Sequence, residues 1–269
     1  SYGVSFLGTY NKNEVVEMGA ESQVITGGTI HGGTYTSRTL AGYPIGGFWL
    51  IPTDGYFNST EEVQAHQKDG VLIQPSAEPG DIRFKDTNND GTINDEDRVY
   101  CGSPFPKFTY SINGNITYKN VDFSIGFQGV TGNKIYNATK LELTDVTRGT
   151  NYLASTLDYW TPENQNASSP RLIWTDPNRN ARSESDRYLE SGSYFRLRNL
   201  QVGYPLPTVW FHGFVQKARV YVNAENLFTI SSYSGYTPDV NSSDVYSRGF
   251  DEFIYPSNRT FMFGLNVTF

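Results

Sequence analysis

Apolar and polar residues alternate with a period of two along several stretches of this chain. That period sends successive side chains to opposite faces of a strand. The closing stretch TFMFGLNVTF puts Phe261, Phe263, Leu265, Val267 and Phe269 on one face, and Met262, Gly264, Asn266 and Thr268 on the other. FTYSINGNITY sets Phe108, Tyr110, Ile112, Ile116 and Tyr118 against Thr109, Ser111, Asn113, Asn115 and Thr117. VDFSIGFQG follows after only Lys119-Asn120 and aligns Val121, Phe123, Ile125 and Phe127, which predicts a hairpin with a two-residue turn. YFRLRNLQVGY changes phase between Leu197 and Leu200, as a bulge near Arg198-Asn199 would cause. ARVYVNAEN aligns Val220, Val222 and Ala224, and SYGVSFLG aligns Tyr2, Val4 and Phe6. Strands are expected at about 1–8, 108–118, 121–129, 194–204, 218–226 and 260–269. GYPIGGFWLI is a further strand candidate, and residues 11–51 read either as one long loop or as another hairpin. A helix is expected in STEEVQAHQKDG, where Ser59 and Glu62 form a capping-box pair.

The connections alternate in length. A tight turn follows Tyr118, over sixty residues follow Gly129, about a dozen follow Tyr204, and about thirty follow Phe228. Short turns on one side and long loops on the other are the pattern of an outer-membrane barrel, and strands of this length suit a tilted bilayer crossing. Tyr118, Tyr204 and Phe269, near strand ends, suit interfacial girdles. A soluble β-sandwich alternates in the same way with its apolar face turned inward, so the period alone does not separate the two. The uneven connections, and polar faces of Asn, Thr, Ser and Gly with few Lys or Glu, favour the barrel.

Composition adjusts this picture modestly. Of the 269 residues, 15% are aromatic, high for a soluble domain. The net charge of −7 argues against nucleic acid as a main partner. Cys101 is the only cysteine, so no intrachain disulfide forms. There is no run of 18 apolar residues and no signal peptide at the start; a chain that opens on a strand reads as part of something longer.

The stretch FKDTNNDGTINDEDR offers metal chemistry. Counting Asp86 as position 1 of a twelve-residue loop, Asn88, Asp90, Thr92, Asn94 and Asp97 fall at positions 3, 5, 7, 9 and 12, with Gly91 at the sharp turn. That spacing matches a calcium loop, whose hard cation takes six to eight oxygens. Ile93 can anchor the loop by its apolar side chain. Position 12 is Asp rather than Glu, which predicts modest affinity. The plain alternative is an acidic Asn-Gly surface turn. No helices flank it, because Pro79-Gly80 precedes and Cys101-Gly102-Ser103-Pro104 follows. No catalytic constellation is expected: His31, His66 and His212 lack zinc spacing, and there is no nucleophile elbow or phosphate loop.

The strings GYPIGGFWLIPTDGYF, PGDIRFKDTNNDGTINDEDR, GSPFPKFTYSINGNITYKNVDFSIGFQGVTGNKIYN, YWTPENQNASSPR, SYFRLRNLQVGYPLP and ARVYVNAENLFTISSYSGYTPDV, in that order and spacing, resemble the C-terminal part of SusC/RagA-type TonB-dependent outer-membrane transporters of Bacteroidetes. The resemblance implies the last six to eight strands of a 22-stranded antiparallel transmembrane β-barrel with long extracellular loops, the N-terminal plug being absent from residues 1–269. It implies import of an oligosaccharide or peptide, a SusD-like lipoprotein over the outer mouth, energy from the TonB complex, pairing with the rest of the transporter, and contact with outer-membrane lipid. The loop 86–97 would then lie outside the cell, its Ca2+ structural. Trp49, Trp160, Trp174, Tyr233 and Tyr236 would be candidate ligand contacts near the outer loops, and the terminal Phe269 an assembly signal. The rival reading is a secreted, calcium-stabilised carbohydrate-binding β-sandwich.

Overall fold

The computed structural model describes residues 1–19, 23–30, 34–211, 215–240 and 244–269; His31 and His212 lie outside them. Six long strands, β1 (Tyr2–Tyr10), β2 (Phe108–Tyr118), β3 (Val121–Thr131), β4 (Tyr194–Leu206), β5 (Lys217–Ser231) and β6 (Thr260–Thr268), form one antiparallel sheet in which each strand pairs with its neighbours in chain order. β5 runs to Ser231, well past the 226 that alternation suggests, and β4 runs on to Leu206. Their extra residues continue the pairing through Tyr194↔Ser231 and Leu206↔Ala218. The turns at 119–120 and 207–216 share one end of the sheet, and the connections 11–107, 132–193 and 232–259 all leave from the other. No helix is long and apolar enough to cross a membrane, which says nothing of crossing by strands.

The register carries the two-faced pattern straight across the sheet. Tyr2, Ile116, Phe123, Val202, Val222 and Phe263 form one transverse row on one face. The next row, one residue along, is Gly3, Asn115, Ser124, Gln201, Asn223 and Met262 on the opposite face. Phe261 and Phe263 are 60% and 82% exposed, so the apolar rows cover no protein interior. In a sandwich they would be buried against a second sheet; here they are left for lipid.

The bulge falls where the phase break pointed. Leu197 pairs with Phe127 and Asn199 with Gly126, so Arg198 is the extra residue and both apolar runs of β4 stay on one face. β5 answers with its own irregularity, Asn226 at φ 53° between Glu225 and Phe228. On the apolar face the Tyr110 ring lies across Gly129, where a Cβ would sit 2.1 Å from it. The ring thereby reaches Phe195, which stacks on Phe127 with centroids 5.2 Å apart. Glycine beneath a cross-strand aromatic is a device for packing a curved sheet.

The long connections build a second body at their end. Residues 11–51 do contain a hairpin, Ile25–Ile30 with Thr34–Thr39, extended by Gly47–Leu50 and Val99–Gly102. The helix Thr60–Ala65 starts at Ser59, whose hydroxyl accepts from the Glu62 N–H; the Glu62 carboxylate reaches past the cap to Asn58 N–H at 2.8 Å. One core draws on all three connections: Ile30, Phe48 and Leu50 from the first, Tyr136, Leu141 and Tyr188 from the second, with Phe250 from the third packed against them. Each such side chain contributes about 1.5–3 kcal/mol by burial.

The face assignment predicts an asymmetry. In the full-length barrel, Val222→Arg on the apolar face is expected to cost about 2–4 kcal/mol, whereas Asn115→Arg on the polar face is expected to be nearly neutral. Denaturant titration in lipid vesicles, followed by heat-modifiable gel mobility, measures both. Equal costs would remove the distinction between the faces.

Candidate functional site

The polar face of the sheet and the body above it carry this chain's candidate site residues. Thr109, Ser111, Asn113, Asn115, Ser124 and Gln128 line a concavity of about 480 Å³ on β2 and β3. Near the short-turn end Arg219 of β5 reaches across β4 to Asp122 of β3, its Nε 2.9 Å from the carboxylate. This ion pair ties three strands together on the polar side.

The acidic loop is folded by its own carboxylates. Asp86 accepts from the N–H groups of Asp90 and Gly91, at 3.0 and 2.7 Å. Gly91 sits at φ +93°, which an L side chain rarely adopts. Asp90 accepts from Thr92 N–H and Oγ1 and from the amide groups of Asn88 and Asn94. The hydrogen bonds from Asn88 and Thr92 hold its carboxyl at about 2, below the usual carboxylate range. Asp97 is placed differently. It is fully buried, and its two oxygens accept Thr87 N–H at 2.7 Å and Asn94 N–H at 2.8 Å. Asn94 and Asp97 thus form a capping box on the short 3-10 turn Asp95–Asp97. Glu96, not singled out from spacing, joins the exposed side of the loop through Asn88 Nδ2 at 3.2 Å. Ile93 packs against the Ile51–Ile82–Phe84 cluster.

The donor chemistry suits a hard cation at the exposed side, where Asp86, Asn88, Asp90, Thr92, Asn94 and Glu96 supply oxygens. Among the described residues no three His, Cys, Asp or Glu side chains are grouped as a metal site would group them. A cation here would therefore draw on amide and carbonyl oxygens as well as on carboxylates.

Beside this loop lies a buried polar network that spacing did not reveal. Asp81 is fully buried and accepts from Arg171 Nε at 2.7 Å and Nη2 at 2.9 Å, from Asn180 Nδ2 at 2.7 Å and from Glu78 N–H at 2.9 Å. Gln74, Asn178 and Asn180 extend it to the Ile82 backbone. Burial pulls the Arg171 pKa down, but the bonds and charges of Asp81 and Glu78 outweigh it and raise it. The partners lie some ninety residues apart in the chain, and residues 171–182 form no strand whose period could hint at their meeting.

The aromatic candidates separate by environment. Trp160 is buried and donates to Asn58 Oδ1 at 3.0 Å. Tyr233 is buried and donates to Asp251 at 2.5 Å; burial, with that carboxylate beside it, pushes its hydroxyl pKa up. Both are packing residues in this structure. Trp49 sits against Tyr43 and Tyr100, with centroids 4.8 and 5.9 Å away. Trp174 and Tyr236 are exposed; Trp174 lies against Gly149, and Tyr236 lines a cleft with Arg196 and Arg259. Phe269 is exposed just past β6 at the short-turn end. Cys101 has its thiol pushed up to about 11, chiefly by burial, which makes it a poor nucleophile.

No family model matches the chain. Two TonB-dependent receptors of Formosa agariphila are similar in sequence. P3 is 36% identical over 206 residues, 74% of this chain and 20% of that protein. P26 is 30% identical over 272 residues, 96% of this chain and 26% of that protein. TonB-dependent receptor SusC of Bacteroides thetaiotaomicron is 25% identical over 202 residues, 74% of this chain and 18% of that protein. The chain thus spans about a quarter or less of the length of these relatives. Among solved structures, the RagAB peptide transporter superposes with a TM-score of 0.75 at 19% identity, over all of this chain and 27% of that one. That likeness is one of fold.

The Asp81 network makes Arg171 a stability residue for the body above the sheet. Arg171→Met leaves a buried carboxylate without its cation, and the expected loss is about 3–5 kcal/mol, seen as faster hydrogen exchange at 74–84 and 171–182 with the strands unaffected. Unchanged exchange in both segments would refute the assignment.

Proposed function

Because the chain belongs to the SusC/RagA-type TonB-dependent receptors of the outer membrane, we propose that residues 1–269 form the C-terminal part of a barrel that actively imports a nutrient. The chain is short of the whole, so the remaining strands and a plug come from the rest of the same transporter. The cargo is an oligosaccharide or a peptide, admitted from outside at the long-connection end. A SusD-like lipoprotein docks over that end, and the TonB complex of the inner membrane supplies the energy through the part of the transporter not present here. The long connections are then extracellular, and Phe269 lies at the opposite, short-turn end.

One observation carries this reading. A six-strand meander keeps an unbroken apolar face turned to the outside and an Asn-, Ser- and Thr-rich face turned the other way, with all long connections at one end. A secreted sandwich would not leave Phe263 bare. The reading makes the chain a conduit rather than an enzyme, in keeping with relatives named as receptors and transporters.

The loop 86–97 fits into this frame as a structural cation site. Asp86, Asn88, Asp90, the Thr92 carbonyl and Asn94 would hold a Ca2+ ion, and Asp97 would complete the site by fixing the loop backbone or by giving up one of its present bonds to become a ligand. The ion would neutralise the clustered carboxylates and stiffen the surface on which the lipoprotein sits.

Two measurements test these statements. Cells carrying the full-length transporter are expected to accumulate a labelled member of a panel of oligosaccharides and peptides only when TonB is functional; accumulation indifferent to TonB would sink the import reading. Calorimetric titration of the purified full-length protein is expected to show one calcium ion bound with modest affinity, and none after Asp90→Ala. Identical heats from the two proteins would dispose of the cation site while leaving import untouched.

A further inference from the structure

We propose that a cleft at the outer end of β4, β5 and β6 is a subsite for a carboxylate-bearing terminal unit of the transported solute. The inference rests on the import reading and narrows its cargo to an acidic one. The cleft encloses about 310 Å³. That is room for one pyranose ring or one amino-acid residue, at the small end of ligand pockets.

Its position follows from the register. Arg196 pairs with Gln128 on one side and Thr229 on the other, so it belongs to the polar rows of the sheet. The bulged Asn226 and the segment leading into β6 close the other wall, and Asn226 Nδ2 holds the Asn258 carbonyl at 3.2 Å. The cleft therefore opens on the polar side of the sheet, at the end from which the long connections leave.

Its chemistry points to an anion. Among the described residues the charged side chains lining it are Arg196 and Arg259, with Thr229, Asn226, Ser257 and Tyr236 around them. Arg196 is 7% exposed and is held in place by Thr229 Oγ1 at 2.8 Å and by an ion pair with Asp239. Asp239 neutralises that one charge. Glu225, next to Asn226, accepts instead from Asn223 at 3.3 Å. Arg259 is exposed and makes no ion pair or side-chain hydrogen bond among the described residues. One guanidinium is thus left over, in a chain of net charge −7. A guanidinium fork matches a carboxylate with two parallel hydrogen bonds. The Tyr236 ring beside it offers a face on which a sugar ring or a peptide plane can lie.

An acidic sugar and an acidic peptide would both satisfy this site, and the test separates them. Binding to the purified full-length transporter is measured with trigalacturonate against its methyl ester, and with tetraglutamate against tetraglutamine. One acidic probe is expected to bind at least about tenfold more tightly than its neutral counterpart. Arg259→Gln is expected to erase that preference, with barrel heat-modifiability unchanged, and Arg259→Lys to restore only part of it. Which acid wins names the source. Neutral and acidic probes binding alike, neither acid binding, or a preference untouched by Arg259→Gln would each overturn the subsite. The TonB-dependence of uptake is read separately. A charge preference that survives in a protein showing no import removes the transport role and leaves the cleft standing.

Discussion

A peptide group in hydrocarbon has no water to bond with, and that single constraint organises the chain. Each strand must find both neighbours along its length, or the unpaired N–H and C=O groups cost several kcal/mol apiece. A meander of six strands, each paired to its neighbours in chain order, is the simplest chain path that meets it. Once pairing is fixed, the pleat forces alternate residues outward. The outward set must be apolar across the whole sheet, which is what the rows from Tyr2 to Phe263 display. The bulge at Arg198 serves the same end. It absorbs one residue so that Phe195 and Leu197 stay in phase with Leu200 and Val202. Among the described residues β1 and β6 each have a free edge, and the same constraint requires other strands to occupy them.

The body above the sheet obeys a different rule. Water is close, so it can afford buried polar groups, provided each is partnered. Asp81 is the clearest case, with four donors around one carboxylate. Such a network contributes less to stability than an apolar core of equal volume would, but it admits one arrangement of its segments. The acidic loop sits on this frame through Ile93, and so inherits a fixed position from a cluster to which it lends one side chain.

The two bodies were legible in the sequence to different degrees, for physical reasons. Where a bilayer imposes a period of two, local pattern is enough: Phe108 to Tyr118 and Val121 to Phe127 disclose their strands, faces and shared turn without any knowledge of the rest. Strand ends were less visible, because β5 continues past the irregularity at Asn226, where alternation is lost. In the outer body the period disappears. Its strands are two to six residues long, and several of them find partners far away in the chain, as 47–50 does with 99–102 and 134–137 with 189–191. The loop 86–97 could be read by composition and spacing, yet the burial of Asp97 depends on Thr87 and Asn94 turning toward it, which spacing does not encode. Trp160 and Tyr233 are candidate ligand contacts by their place near long loops, but the outer body buries both: Tyr233 packs with Ile135 and Val240, and Trp160 lies against Gly80.

That outer core has a further implication. Strand 134–137 pairs with 189–191 on one side and runs parallel to 250–251 on the other, while Ser37 bonds the Tyr246 carbonyl at 2.7 Å and Ile51 bridges to Ser185. Three excursions of the backbone are woven into a single fabric. Exchanging any one of them for its counterpart from a relative would cut threads that the other two hold. Change in this outer body must proceed by point substitutions on the fabric's surface, or by replacing all three excursions together.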